Sequence, residues 1–284
     1  MDSALYAIFA VFSFATGACV ASFLNVVAWR LPRGESIVSP PSHCPKCNAP
    51  IRWWQNIPIL SWLALRGKCA KCREPISPRY IVVEATGGVL FLAMFCRIAS
   101  ALPAVPLDGL VPFWPWLILL LAMWTWMALM IVGSLIDFDH KLLPDFVTEG
   151  GMLLGVGLNI FWSVVNHTSY HILQSLSGLA FGFGLLWLVR LLGSMAFKRE
   201  AMGMGDVFLM GAIGAIFGPV AVLVTLVLSS LIGSAAGLTA VAFSKTRLGA
   251  FSEIPYGPYI CMGCLVWMFY GSELVRIYLR LLGF

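Results

Sequence analysis

Two carboxylates and four thiols are the groups in this chain whose types and spacing can do chemistry. Asp137 closes the apolar run 117–136, and Asp206, in Gly203-Met-Gly-Asp206, opens the apolar run 207–242. An ionised carboxylate near a bilayer core costs at least about 2.5 kcal/mol, so an acid in that setting needs a partner and a task. Each can be the other's partner: two carboxyls brought close together share one proton, and the pair then offers a base and an acid at once. That is the chemistry by which aspartyl proteases activate water. Gly203 and Gly205 carry no side chains where a peptide backbone would have to come close. The plainer alternative makes Asp206 a first-turn helix acid favoured by the dipole, and places Asp137, Asp139 and Asp145 in a solvated loop.

Cys44-Pro-Lys-Cys47 and Cys69-Ala-Lys-Cys72, separated by 21 residues, have the spacing of a four-thiolate zinc ribbon. Four ligands close the coordination shell, so such a metal holds its segment together and performs no reaction. A redox dithiol and unliganded thiols are the alternatives. Lys46, Lys68 and Lys71 stand beside the cysteines and offset the charge of a metal-thiolate core. Cys19, Cys96, Cys261 and Cys264 lie in apolar stretches and read as packing residues.

Composition says what kind of element must position these groups. Hydrophobic residues make up 60% of the chain and charged residues 11%, and the mean hydropathy is +0.90, which defines an all-α polytopic membrane protein. The net charge of +5 does not point to nucleic acid, because nine of the eighteen Lys and Arg residues fall within 30–79. A basic loop beside a span marks the cytoplasmic face, with anionic lipid headgroups as a secondary partner. Residues 4–27 lack a basic n-region and a small-residue cleavage site, so they read as a retained first span with the N-terminus outside.

Further spans are expected at 80–102, 112–136, 146–165, 172–192 and 256–274, while 207–242 divides near Gly218-Pro219 into a short sixth and a seventh. Pro103, Pro106 and Asp108 make one turn; Lys198-Arg199-Glu200 and the pair Lys245 and Arg247 mark cytoplasmic ones. The result is about eight transmembrane helices with a small zinc-ribbon-like cytoplasmic insert. By domain, 1–29 is the first helix, 30–79 the insert, and 80–284 a seven-helix membrane domain carrying the aspartates. Asp137 and Asp206 are 69 residues apart yet arrive at the same face, where they can meet. No internal repeat is apparent.

Several ordered motifs extend this reading. They are Ala21-Ser-Phe-Leu-Asn25 with Arg30-Leu-Pro32, both cysteine pairs, Trp54-Gln-Asn-Ile-Pro58, Arg79 with Glu84, Ile136-Asp137 through Leu143-Pro-Asp145, Gly203-Met-Gly-Asp206, and Ile254-Pro-Tyr-Gly-Pro258. In this order the chain resembles the bacterial type IV prepilin peptidases, bifunctional members of the Gly-x-Gly-Asp aspartyl proteases. The resemblance implies a multi-pass inner-membrane enzyme that removes the leader from type IV prepilins and type II secretion pseudopilins at the cytoplasmic face. It also implies methylation of the new N-terminal residue with S-adenosylmethionine. The family's catalytic aspartates map onto Asp137 and Asp206; Asp139 and Asp145 share the motif without the role.

For methyl transfer the residues themselves offer less, since no glycine-rich strand-turn-helix signature is present. Glu84, at the entrance of the second span, is the candidate for orienting the free amine or the sulfonium, with an interfacial pairing to Arg79 as the alternative. Asn25 and Arg30 read equally as helix packing and a snorkelling cation. A proton-coupled transporter would also keep carboxylates in the membrane. Against it, the pair lies at one face and the halves show no inverted repeat of broken helices.

Overall fold

A computed structural model of the chain describes residues 3–101, 114–198, 200, 202–243 and 255–283. Pro103, Pro106, Asp108, Arg199, Lys245, Arg247 and Ile254 lie outside them. The described residues form helices α1 (Ser3–Arg30), α2 (Leu60–Ala64), α3 (Arg79–Ala101), α4 (Trp114–His140), α5 (Asp145–Val165), α6 (Tyr170–Phe197), α7 (Met204–Phe217), α8 (Pro219–Phe243) and α9 (Gly257–Leu281). Among the described residues there is no strand, only isolated bridges. Seven of these helices are long and apolar enough to cross a membrane, and α7, with 14 residues, is a shorter apolar helix. The chain is a multi-pass α-helical membrane protein.

Two compact units divide the chain, Met1–Val132 and Gly133–Phe284, with the boundary inside α4. In the first, α1 packs on α3 through small residues recurring at helical spacing, as membrane helices do when packing rather than water drives association. A Cβ on Gly87 would lie 2.5 Å from the Ala21 Cβ, and one on Gly88 would lie 2.8 Å from the Phe14 ring. Phe91 of α3 stacks on Trp124 of α4 with ring centroids 4.9 Å apart, and the Trp124 indole N–H donates to the Phe91 carbonyl.

The second unit is built around α7. Val207 and every residue from Leu209 to Ile216 are buried, with α5, α6, α8 and α9 packed against the helix. At 1.5 Å per residue α7 is about 21 Å long, well under the ~30 Å hydrocarbon thickness. Its last carbonyls therefore need partners that water would otherwise supply. Three side chains provide them. Asn159 of α5 donates to the carbonyls of Ala215 and Ile216, Ser175 of α6 donates to Ala215 at 2.7 Å, and Gln174 donates to Phe217. Gly218, at φ +85°, ends the helix and its N–H returns to Gly214, so the break expected at Gly218-Pro219 is the observed one.

Candidate functional site

Both aspartates sit at helix ends in the second unit, where polar backbone groups are free to meet them. Asp206 is the third residue of α7, three positions after the N-cap Gly203, and the Gly203 N–H is directed back at its carboxylate. This is the carboxylate arm of a capping box. Its first-turn position is the one the plainer sequence reading assigns, and it is compatible with chemistry because α7 is buried along its length. Asp137 lies in the last turn of α4, which continues to His140 instead of ending before the acid. Its Oδ2 accepts the backbone N–H of Gly257, the first residue of α9, at 3.0 Å. Both carboxyls are buried, and each lies within electrostatic reach of the other. The carboxylates that the sequence separates by 69 residues are thus brought together, each against the N-terminal turn of a different helix.

Leu143, from the connection between α4 and α5, packs against both Gly205 and Gly257. A Cβ on Gly205 would fall 2.7 Å from the Leu143 Cβ, and a Cβ on Gly257 would fall 2.7 Å from Asp137 Oδ2 and 3.2 Å from Leu143 Cδ1. Gly205 and Gly257 are therefore required by space. Asp139 and Asp145 are exposed. Two contributors escape a reading of sequence alone. Arg190 of α6 donates from Nε to the Met202 carbonyl at 2.9 Å and pairs with Glu200 at 3.2 Å, which fixes the approach to Gly203. Cys261, one turn after Gly257, lies within reach of Ser134 and of both carboxylates, so it packs at the site rather than in remote apolar surroundings.

In the first unit the four thiols converge. The sulfurs of Cys44, Cys47, Cys69 and Cys72 all lie within 4.8 Å of one another, and Cys44 and Cys72 are 3.8 Å apart. A tetrahedron with metal–sulfur bonds of ~2.3 Å has sulfurs about 3.8 Å apart, so the cluster fits a metal. The two knuckles are copies of one turn. Cys44 N–H donates to Ala49 and Asn48 N–H to Cys44; Cys69 N–H donates to Glu74 and Arg73 N–H to Cys69. Asn48 and Arg73 occupy the same left-handed conformation, at φ 53° and 62°. Bridges His43 to Pro50 and Lys68 to Pro75 flank them alike. A shared Cys-x-Lys-Cys-x-x-Pro-Ile pattern carries this repeat, and it is short enough to pass for two isolated motifs. Lys46 joins the copies through an ion pair to Glu74 at 3.3 Å. Backbone N–H groups of Cys72 and Lys71 hold the Cys69 thiol down to about 6, which favours the thiolate a metal needs.

Glu84 is buried near the start of α3, and its Oε2 accepts the Ile59 N–H at 2.7 Å. Ile59 has φ 64° and ψ −54°, and the Leu60 N–H closes a three-residue turn on Pro58 at 2.6 Å. A β-branched residue in this conformation is strained, and such strain persists where surroundings over-determine it. Pro58 and Asn56 of the same strap line a cavity of about 350 Å³ together with Cys19, Ser22, Val26 and Arg30 of α1. Arg30 is buried and donates to the carbonyls of Ser36 and Pro40, so it ties down the loop instead of snorkelling. Asn25 is also buried, and its amide nitrogen has no partner.

A multi-pass helical membrane protein with two buried aspartates that each accept from a helix N-terminus, and a separate four-thiol knuckle pair, is the class these observations define. Residues 15–98 match the Bacterial Peptidase A24 N-terminal domain and residues 124–238 match the Type IV leader peptidase family. The chain belongs to the type IV leader peptidase family. It is 38% identical over 231 residues to the prepilin leader peptidase/N-methyltransferase of Myxococcus xanthus (strain DK1622), a match covering 81% of this chain and 63% of that protein, just under two thirds of it. It is 32% identical to the protein of the same description from Pseudomonas putida, over 94% of this chain and 93% of that one. It is 34% identical to the type 4 prepilin-like proteins leader peptide-processing enzyme of Escherichia coli O78:H11, over 87% and 88%. No solved structure matches it.

Proposed function

We propose that this chain is a prepilin leader peptidase and N-methyltransferase of the bacterial inner membrane. It cuts type IV prepilins or type II secretion pseudopilins at the cytoplasmic face and methylates the residue thereby exposed. The family membership and the names of relatives aligned along nearly the whole chain support this reading. They give no support to a proton-coupled transporter. The basic segment 30–79 supports the orientation, with the N-terminus periplasmic and the aspartates opening to the cytoplasm.

The observation that carries the peptidase reading is the pairing of Asp137 with Asp206, each accepting a backbone N–H from the start of a helix. One carboxylate, ionised, takes a proton from water as the oxygen attacks the scissile carbonyl. The other, protonated, donates to that carbonyl oxygen, and the roles exchange as the peptide C–N bond breaks and the amine leaves with a proton. No acyl-enzyme forms. Zinc fits the Cys44, Cys47, Cys69 and Cys72 cluster as a closed structural ion. Methyl transfer we assign to the first unit. Its buried Glu84 carboxylate can pair with a cation such as the sulfonium of S-adenosylmethionine or the new amine, and the neighbouring cavity is within the range of small-ligand sites.

Detergent-solubilised protein incubated with a prepilin and S-adenosylmethionine should lose the leader and gain one methyl at the new N-terminus, read by mass. An intact prepilin after incubation would refute the peptidase. A pre-cleaved pilin offered to Asp206→Asn isolates the second step, and Glu84→Gln should impair methylation more than cleavage. Equal loss of both in Glu84→Gln would remove the assignment of Glu84 to methyl transfer.

A further inference from the structure

Asp137 takes its backbone donor from a residue whose position is set elsewhere. Gly257 is the first residue of α9, Pro258 has no N–H, and the N–H groups of Tyr259 and Ile260 return to the Tyr256 carbonyl. The Gly257 N–H is thus the one donor of that turn directed out of α9, and it goes to Asp137 Oδ2. The residue before it is fastened to a different helix. The Tyr256 hydroxyl lies 2.8 Å from Ser229 Oγ and 3.3 Å from Ser230 Oγ of α8. Both serine hydroxyls donate to the same carbonyl, that of Leu226. Each serine oxygen therefore turns a lone pair toward the tyrosine, whose single proton can bond to one of them. The Tyr256 ring runs along α8 past Gly233, where a Cβ would stand 3.7 Å from Tyr256 Cε2. Ser229 is fully buried. A phenylalanine would fill the same space, so the hydroxyl is not needed for packing, and in an apolar setting it carries a desolvation cost unless paired.

We propose that Tyr256, latched to Ser229 and Ser230, is a positioning residue for hydrolysis: it fixes where the first turn of α9 presents the Gly257 N–H and so fixes the orientation of the Asp137 carboxylate. The proposal rests on Asp137 and Asp206 being the hydrolytic pair. Its physical content is that a carboxylate free to rotate about its own bonds meets water and peptide in the wrong geometry much of the time. Displacements of about 1 Å at such a site can cost 10²-fold in rate. Tyr256 touches neither substrate nor the reacting carboxyls in this scheme; it acts through one peptide group.

The test uses the full-length protein in detergent with a prepilin, and a pre-cleaved pilin for methylation in the same preparations. Tyr256→Phe should lower kcat for cleavage about tenfold or more with KM unchanged, while methylation of the pre-cleaved pilin stays within about twofold of wild type. Ser229→Ala combined with Ser230→Ala should give the same split. Adding Tyr256→Phe to that pair should cost little more, because all three changes remove one interaction. Unchanged kcat in Tyr256→Phe overturns the latch, and so does parallel loss of cleavage and methylation, which would mark a merely structural contact. Asp137→Asn in the same assay separates the premises. If it still cleaves, the hydrolytic assignment fails; if it is inactive while Tyr256→Phe cleaves normally, only the latch fails.

Discussion

The two units hold their reactive groups by opposite means. In Gly133–Phe284 the carboxylates ride on helix ends, and their placement is set by glycines that let backbones touch and by side chains that satisfy the carbonyls of α7. In Met1–Val132 the thiols and the Ile59 donor to Glu84 belong to a segment whose described helices are two single 3-10 turns and the five-residue α2, and which is tied by turns and by Arg30 around four converging sulfurs. The first arrangement is stable wherever the helices pack. A metal ion held by the four thiols would order the second, because metal-binding free energy in so small a segment is folding free energy. One protein thus carries carboxylates placed by close packing and four thiols that converge as a metal crosslink requires.

The sharpest way to break this contrast is at the aspartates. Asp137→Asn and Asp206→Asn should each lower cleavage by ~10³-fold or more while leaving expression and thermal unfolding near those of wild type, since the amide keeps the shape and loses the proton. Asp139→Asn, at an exposed position, should be far milder. If either essential-site variant cleaves normally, the pair is not catalytic. Next in size is Gly257→Ala. The added methyl meets Asp137 Oδ2 at 2.7 Å, and cleavage should fall ~10²-fold with zinc content untouched; full activity would show that the Gly257 contact does not govern Asp137.

The metal tests the other half. Purified protein should hold about one zinc, and Cys69→Ser should lose it. Limited proteolysis should then open within 31–78, while amide hydrogen exchange across α7 stays slow. Acid should act the same way. The Cys69 thiol is depressed to about 6, so the order it supports is complete above its ordinary value and disappears as pH falls through about 6, releasing metal. Exchange in α7 rising together with metal loss would erase the distinction between the units. The smallest effect is expected at Asn159→Ala, which takes the side-chain donor from the Ile216 carbonyl and leaves Ala215 with Ser175 alone, and should destabilise the protein by ~0.6–2 kcal/mol with zinc retained.

Which parts of this were legible in the sequence follows from how local each signal is. Hydropathy runs and Gly218-Pro219 locate the helices and the break, because both depend on neighbouring residues. The cysteine spacing predicts the cluster for the same reason. The Ile59 N–H on Glu84 is not legible, since it joins residues 25 apart through a strained turn no propensity favours. Arg30 illustrates a choice the sequence leaves open: a cation at a helix end can reach for headgroups or for carbonyls, and only the path of 36–40 decides. Ser229 and Arg190 belong to no motif, and Tyr256 stands in one that does not say what its hydroxyl meets, so their relevance appears only once α8, α9 and α6 are in place.

The length of α7 has a consequence for water. Longer helices surround it, so a helix about 9 Å shorter than the hydrocarbon layer leaves a length inside the bundle that its own turns do not fill, and there water can follow its uncovered end inward. The substrate water of a hydrolase buried among apolar helices can arrive by that deficit without any pore.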